Sequence, residues 1–212
     1  LGLQSIGIIR GEETLPLNDT LQFATQMGMR LQYISRQDYR RKTDPTFIEL
    51  LKIELGDFLL IPEGGSNELA VKGVEQFTKE LDAHIDYICC PVGTGGTMAG
   101  IIRGVGGNKK IIGFSTLKDG SFLNKEVAAL AVKSYANWEI RTEYHFGGYV
   151  KTTPSLEGFI ERFTELHRIP LEFIYTGKMM WGIFDLAAKG FFKKGSTILA
   201  IHTGGIHRSQ SH

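Results

Sequence analysis

The residues richest in chemistry form one segment. Tyr87-Ile-Cys-Cys-Pro-Val92 is an apolar run of strand character, and it empties into Gly93-Thr-Gly-Gly-Thr-Met-Ala-Gly100. Met98, Ile101 and Ile102 then recur at helical spacing. A strand, a tight turn and a helix start in this order leave backbone N–H groups unpaired and aimed outward. Glycine lets the backbone approach a ligand and adopt dihedrals that other residues resist, and Thr94 and Thr97 add hydroxyls. Anion binding, of a phosphate above all, is the chemistry this suits. Glycine-rich turns between strand and helix also serve packing, so the loop by itself leaves both readings open. It lacks the Lys-Ser/Thr ending of a P-loop, and neither its glycine spacing nor a following acid matches the dinucleotide fingerprint. A phosphate held here therefore belongs to a ligand other than ATP or NAD.

Three further segments could share the site: Glu63-Gly-Gly-Ser-Asn67, Tyr175-Thr-Gly-Lys178 and His202-Thr-Gly-Gly205. The elements around them say where they sit. The apolar pattern predicts strands at residues 5–10, 31–35, 58–61, 87–92, 110–115, 138–142 and 196–202. Between them it predicts helices at 17–28, 44–55, 66–81, 96–105, 123–133, 154–167 and 176–189. Asn18 and Asp19, Pro45, and Ser66 or Asn67 stand where helix caps and first turns favour them. Alternating strands and helices imply an α/β fold with mostly parallel sheets flanked by helices. Ligands of such sheets bind at the carboxyl ends of the strands, and all four segments occupy that kind of position.

Composition narrows the class. The chain has 212 residues, 42% of them hydrophobic, and a net charge of +1, so no global field favours nucleic acid. Arg40-Arg41-Lys42 is short and reads as a solvated turn before Asp44-Pro45. No apolar stretch is long enough to cross a bilayer. Cys89 and Cys90 are adjacent, which suits neither a disulfide framework nor a zinc site, and a reducing cytoplasm is the expected compartment. A lobe boundary is expected near Pro62–Ser66, with residues 1–62 in a smaller lobe, 63–205 in a larger one and 206–212 as a polar, unfolded tail. Leu1-Gly2-Leu3 runs almost at once into a strand that needs neighbours, so a further N-terminal segment is expected.

The four segments together, as Ile61-Pro-Glu-Gly-Gly-Ser-Asn67, Pro91-Val-Gly-Thr-Gly-Gly-Thr-Met-Ala-Gly100, Tyr175-Thr-Gly-Lys178 and Ile201-His-Thr-Gly-Gly205, resemble the 1-aminocyclopropane-1-carboxylate deaminase / D-cysteine desulfhydrase family. Ile6-Gly-Ile-Ile-Arg-Gly-Glu12 and Phe146-Gly-Gly-Tyr149 extend the resemblance over nearly the whole chain. It implies a two-lobed pyridoxal-phosphate enzyme of fold type II, like the tryptophan-synthase β subunit, here N-terminally incomplete, a homodimer, and a small amino acid as substrate. It implies that Gly93, Thr94, Gly95, Gly96 and Thr97 hold the cofactor phosphate. Tyr149 and Tyr175 match pocket tyrosines, which can stack, donate a hydrogen bond or, with a lowered pKa, shuttle a proton. Read without the family, both are ordinary half-buried tyrosines. Thr176 and Thr203 are candidates for a hydrogen bond to the pyridine nitrogen; local cap and turn bonding is the plainer reading of each.

Two departures matter. Ring-opening relatives carry glutamate where this chain has Thr176, which tilts the expectation toward β-elimination from a D-amino acid such as D-cysteine. The family's Schiff-base lysine precedes every residue here, and Lys178 reads as structural, at a helix start. A phosphate-binding module without turnover is accordingly the alternative to the deaminase. A nucleotide-binding domain built on the Gly93 loop is a third. His145, His167 and His202 lack partners at metal or triad spacing, and no metal site is expected.

Overall fold

The computed structural model describes residues 2–206. The tail expected at 206–212 lies outside the described residues from His207 onward. The chain divides into two compact units, the first ending at Leu60 and the second starting at Ile61.

The first unit is a parallel strand pair with three helices. β1 (Ile6–Arg10) leads to α1 (Asp19–Gln26), then to β2 (Arg30–Ile34), α2 (Arg36–Arg40) and α3 (Pro45–Leu55). β1 and β2 pair in register from Ile6 with Arg30 to Arg10 with Ile34. The helix starts follow their capping residues: Asn18 accepts from the Leu21 amide, and Asp44 from that of Thr46, with Pro45 in the first turn. The helix at Arg36–Arg40 is not among those that the apolar pattern predicts. Ser35 caps it by accepting from Asp38, and it extends for 5 residues, too short to carry a helical apolar period.

The strand expected at 58–61 is not formed. No described strand pairs with this run, and Leu59 and Ile61 stay exposed. An apolar sequence does not make a strand when its N–H and C=O groups have no ladder to join.

The second unit is a four-stranded parallel sheet with helices on both faces. A 3-10 turn at Glu63–Gly65 is followed by α4 (Glu68–Phe77), β3 (Tyr87–Val92), α5 (Gly96–Val105), β4 (Lys110–Ser115), α6 (Leu123–Ala131), β5 (Trp138–Arg141), α7 (Pro154–His167), α8 (Thr176–Ala188) and β6 (Ile198–Ala200). The spatial order is β5-β4-β3-β6. Tyr87 lies opposite Lys110 on one side and Ile198 on the other. Of the two residues offered as the cap of α4, Asn67 takes the role, accepting from the Ala70 amide at 2.8 Å.

Strand alternation splits the core in two. Ile88, Cys90, Val92 and Ile111 face Val71, Met98, Ile101, Ile102 and Val127, from α4, α5 and α6. Cys89, Ile112 and Phe114 face Tyr144 and the α8 residues Met179, Ile183 and Leu186. The adjacent cysteines thus belong to opposite faces, and both thiols are free and buried. Burial raises the Cys89 thiol strongly and lifts Cys90 to about 12, so neither is a ready nucleophile. No helix among the described residues is long and apolar enough to cross a membrane.

Candidate active site

β3 and β6 are parallel neighbours, so the turns that leave them, at Gly93 and near Thr203, emerge side by side. β4 and β5 extend the sheet to one side of β3 and β6 to the other. That reversal of strand order opens a crevice at the carboxyl ends. An open cleft of about 300 Å³ lies there, lined by Gly64, Gly65 and Ser66, by Pro91 and Gly93–Met98, by Ala70 and Val74, by Tyr175, and by Thr203, Gly204 and Gly205. Each of the four segments contributes to it.

The floor is the start of α5. Its N-cap is Gly95, left-handed at φ 86° and without a side-chain cap. The helical ladder begins with the bond from Ala99 N–H to the Gly95 carbonyl, so the amides of Gly96, Thr97 and Met98 precede it. Glycine is required here on steric as well as conformational grounds. A Cβ on Gly96 would stand 2.6 Å from Ser66 Oγ, and one on Gly95 2.7 Å from Val127 Cγ2. Ser66 Oγ and Thr94 Oγ1 share a hydrogen bond of 2.6 Å, which ties the Glu63–Gly65 turn to the glycine loop. A concave turn with three unladdered amides, two hydroxyls and the positive end of a helix dipole fits a phosphate.

Tyr175 forms one wall. A Cβ on Gly93 would meet its ring at 3.0 Å, so the phenol rests directly on the loop backbone. Its hydroxyl reaches the Tyr149 hydroxyl at 3.4 Å, a long contact, with ring centroids 5.9 Å apart. Tyr149 itself is 51% exposed. Burial raises the Tyr175 pKa, with the hydrogen bond to Tyr149 and the nearby charge of Glu172 adding to it. The phenol therefore keeps its proton at neutral pH and acts as a donor. Proton shuttling, the other use open to it, needs the opposite shift.

The two threonines considered for a ring nitrogen differ. Thr203 lines the cleft. Thr176 is fully buried and does not: its hydroxyl donates to Glu172 Oε1 at 3.0 Å and accepts from the Glu172 amide at 3.1 Å. The Thr176 hydroxyl is thus engaged inside the start of α8, the local cap bonding that is the plainer reading of this residue.

Glu172 went unnoticed in the sequence, and His202 and Ser66, which lie in the expected segments, take bonding roles that their motifs did not reveal. The Glu172 carboxylate accepts from the amides of Ile174, Tyr175 and Thr176 and so caps α8 from outside it. An acid a few residues ahead of a helix start was the available signal. His202 fixes the Thr203 turn: Nδ1 accepts from Gly204 N–H at 3.1 Å, which leaves Nε2 to donate to the Pro170 carbonyl at 2.8 Å. Ser66 serves the loop rather than capping a helix. Lys178, read as structural, is buried and donates to the Gly148 carbonyl at 2.8 Å. No lysine is among the described residues that line the cleft.

Comparison with known proteins matches this architecture. The model of the family described as pyridoxal-phosphate dependent enzyme matches residues 31–204. A candidate 1-aminocyclopropane-1-carboxylate deaminase of Pyrococcus horikoshii is 32% identical over 97% of this chain and 67% of its own length. The bifunctional D-cysteine desulfhydrase/1-aminocyclopropane-1-carboxylate deaminase of Arabidopsis thaliana, a mitochondrial protein, is 27% identical over 85% of this chain and 50% of its own. The crystal structure of an ACC deaminase homologue superposes with a TM-score of 0.71 and 29% identity, covering 97% of this chain and 67% of that one. With its parallel sheet, glycine loop and switch-point cleft, the chain belongs to the family of pyridoxal-phosphate dependent enzymes.

Proposed function

We propose that the chain is a pyridoxal-phosphate-dependent deaminase of small amino acids, acting by β-elimination or ring opening to release a keto acid and ammonia. The observation that carries the reading is the meeting of all four segments in one cleft at the switch point of the sheet. The residues present fit the cofactor. Gly93, Thr94, Gly95, Gly96 and Thr97 would hold its phosphate at the start of α5, and the Thr203 hydroxyl would meet the ring nitrogen. When bound, pyridoxal phosphate supplies an electron sink for charge that develops at the substrate α-carbon.

The chain's own groups do the rest. Tyr175, protonated and resting on the loop, donates to the substrate carboxylate, and Tyr149 offers a second hydroxyl beside it. The walls of Tyr175 and Pro91 exclude water from one side of the reacting centre. With D-cysteine, loss of sulfide and uptake of one water give pyruvate, hydrogen sulfide and ammonia. With 1-aminocyclopropane-1-carboxylate, ring opening and one water give 2-oxobutanoate and ammonia. Ring-opening relatives carry glutamate where this sequence has Thr176, and that departure, not a contact of the buried Thr176 hydroxyl with the ring, favours the first. We also propose a cytoplasmic homodimer. The exposed side chains of Leu166, Ile169 and Phe184 offer apolar surface for it, and sedimentation reads the mass directly.

The test is release of sulfide from D-cysteine against release of 2-oxobutanoate from the cyclopropane substrate, each with added pyridoxal phosphate. Faster sulfide release is expected. Cofactor binding with no ammonia from either compound would replace the deaminase by a binding protein. Stabilisation by ATP or NAD and not by pyridoxal phosphate would replace both by a nucleotide-binding domain.

A further inference from the structure

Lys178 is the single charged residue among the buried side chains described. Burial lowers its pKa, and the Glu172 charge opposes that shift. An ammonium is costly to bury without a strong acceptor, and Lys178 Nζ donates to a backbone oxygen 30 residues away, Gly148 O, at 2.8 Å.

The loop that carries this oxygen does not hold its own shape by propensity. Phe146, Gly147, Gly148 and Val150 have φ of 51°, 95°, 121° and 58°. A left-handed conformation is costly for a bulky or β-branched residue and persists where the surroundings over-determine it. Local bonds close two small turns, from Gly148 N–H to the His145 carbonyl and from Lys151 N–H to the Gly148 carbonyl, each at 3.0 Å. The bond from Lys178 fastens the point where these turns meet to α8. Tyr149 follows that point directly, and its partner Tyr175 precedes Lys178 by three residues on the same helix start. A closed circuit results, from α8 through Lys178 to Gly148, on to Tyr149, across to Tyr175 and back to α8.

We propose that Lys178 is a positioning residue: by holding the Gly148 carbonyl it sets Tyr149 against Tyr175, the tyrosine that walls the cleft. The inference rests on the proposed function for what the tyrosine pair does, but not for the circuit itself. Lys178 is fully buried and is not among the residues that line the cleft. Its loss should free the loop and leave the phosphate floor as it was.

Two variants and two readouts test this. Lys178→Met keeps the length of the side chain and removes the donor. Gly148→Ala forces a side chain onto a φ of 121° and shifts the acceptor. Hydrogen–deuterium exchange should rise at least tenfold over residues 145–151 in either variant, with residues 96–105 within twofold of the parent chain. The double variant should exceed neither single one. Pyridoxal phosphate affinity should stay within twofold, while KM for D-cysteine rises about tenfold and kcat changes less than threefold. Unchanged exchange at 145–151, a uniform rise across both segments, or additive effects in the double variant would overturn the proposal. If Lys178→Met does not fold, Gly148→Ala decides it by the same exchange criterion. If the parent chain turns over neither substrate, the proposed function fails, and the exchange comparison still decides the role of Lys178.

Discussion

At the scale of residues, the site depends on where side chains are missing and on which protons stay put. Gly95→Ala places a methyl group on a left-handed residue, 2.7 Å from Val127 Cγ2. It should cost about 1–3 kcal/mol of stability and weaken pyridoxal phosphate binding more than tenfold. Thermal melts and a fluorescence titration measure the two effects. Tyr175→Phe removes a donor while the ring still packs on Gly93. It should raise KM for D-cysteine and leave cofactor affinity nearly unchanged, which steady-state kinetics and the same titration separate. The phenol also makes a prediction about pH. Its pKa is raised above the ordinary value of 10.0, as is that of Tyr144, where burial acts first and the Asp185 hydrogen bond second. The unfolded chain then gives up these protons first, so their contribution is complete below pH 10 and is lost as the pH climbs beyond it. Denaturant midpoints between pH 9 and 11 should fall, and fall less in Tyr144→Phe and Tyr175→Phe.

At the scale of elements, two junctions hold the cleft in shape. The start of α8 is capped by Glu172, whose carboxylate accepts three backbone N–H bonds and the Thr176 hydroxyl. Glu172→Ala leaves those donors unsatisfied and should cost about 2–3 kcal/mol, read as a lower denaturant midpoint, with Glu172→Gln intermediate. α4 and α5 cross through Gly100 and Gly104, where an added Cβ would stand 2.8 Å from the Val71 carbonyl and 2.9 Å from that of Glu75. Much at this scale was legible in the sequence. Gly96–Val105, Lys110–Ser115 and Pro154–His167 begin and end where glycine, serine and proline punctuate the apolar pattern. Residues 58–61 misled because strand formation needs a partner, and a local pattern carries no record of one. The Glu172 network was hidden for a related reason: its meaning depends on the chain folding back so that a carboxylate faces amides two to four residues ahead.

At the scale of the whole molecule, the parallel sheet and the position of the cleft follow from alternation alone, since a run of strand–helix units dictates both the sheet and the edge where ligands bind. The lining did not follow so directly. The motifs of Gly93–Thr97 and Thr203 pointed to one shared cleft edge, whereas the complete burial of Thr176 is a tertiary fact that no local pattern carries. The central claim is that this cleft recognises pyridoxal phosphate through its phosphate. The most direct measurement is a fluorescence titration of the chain with pyridoxal 5'-phosphate and, in parallel, with pyridoxal, repeated in Gly95→Ala. The account predicts saturable binding of the phosphate ester, at least tenfold weaker binding of pyridoxal, and loss of that difference in the variant. Equal affinity for the two compounds, or a difference untouched by Gly95→Ala, would contradict it.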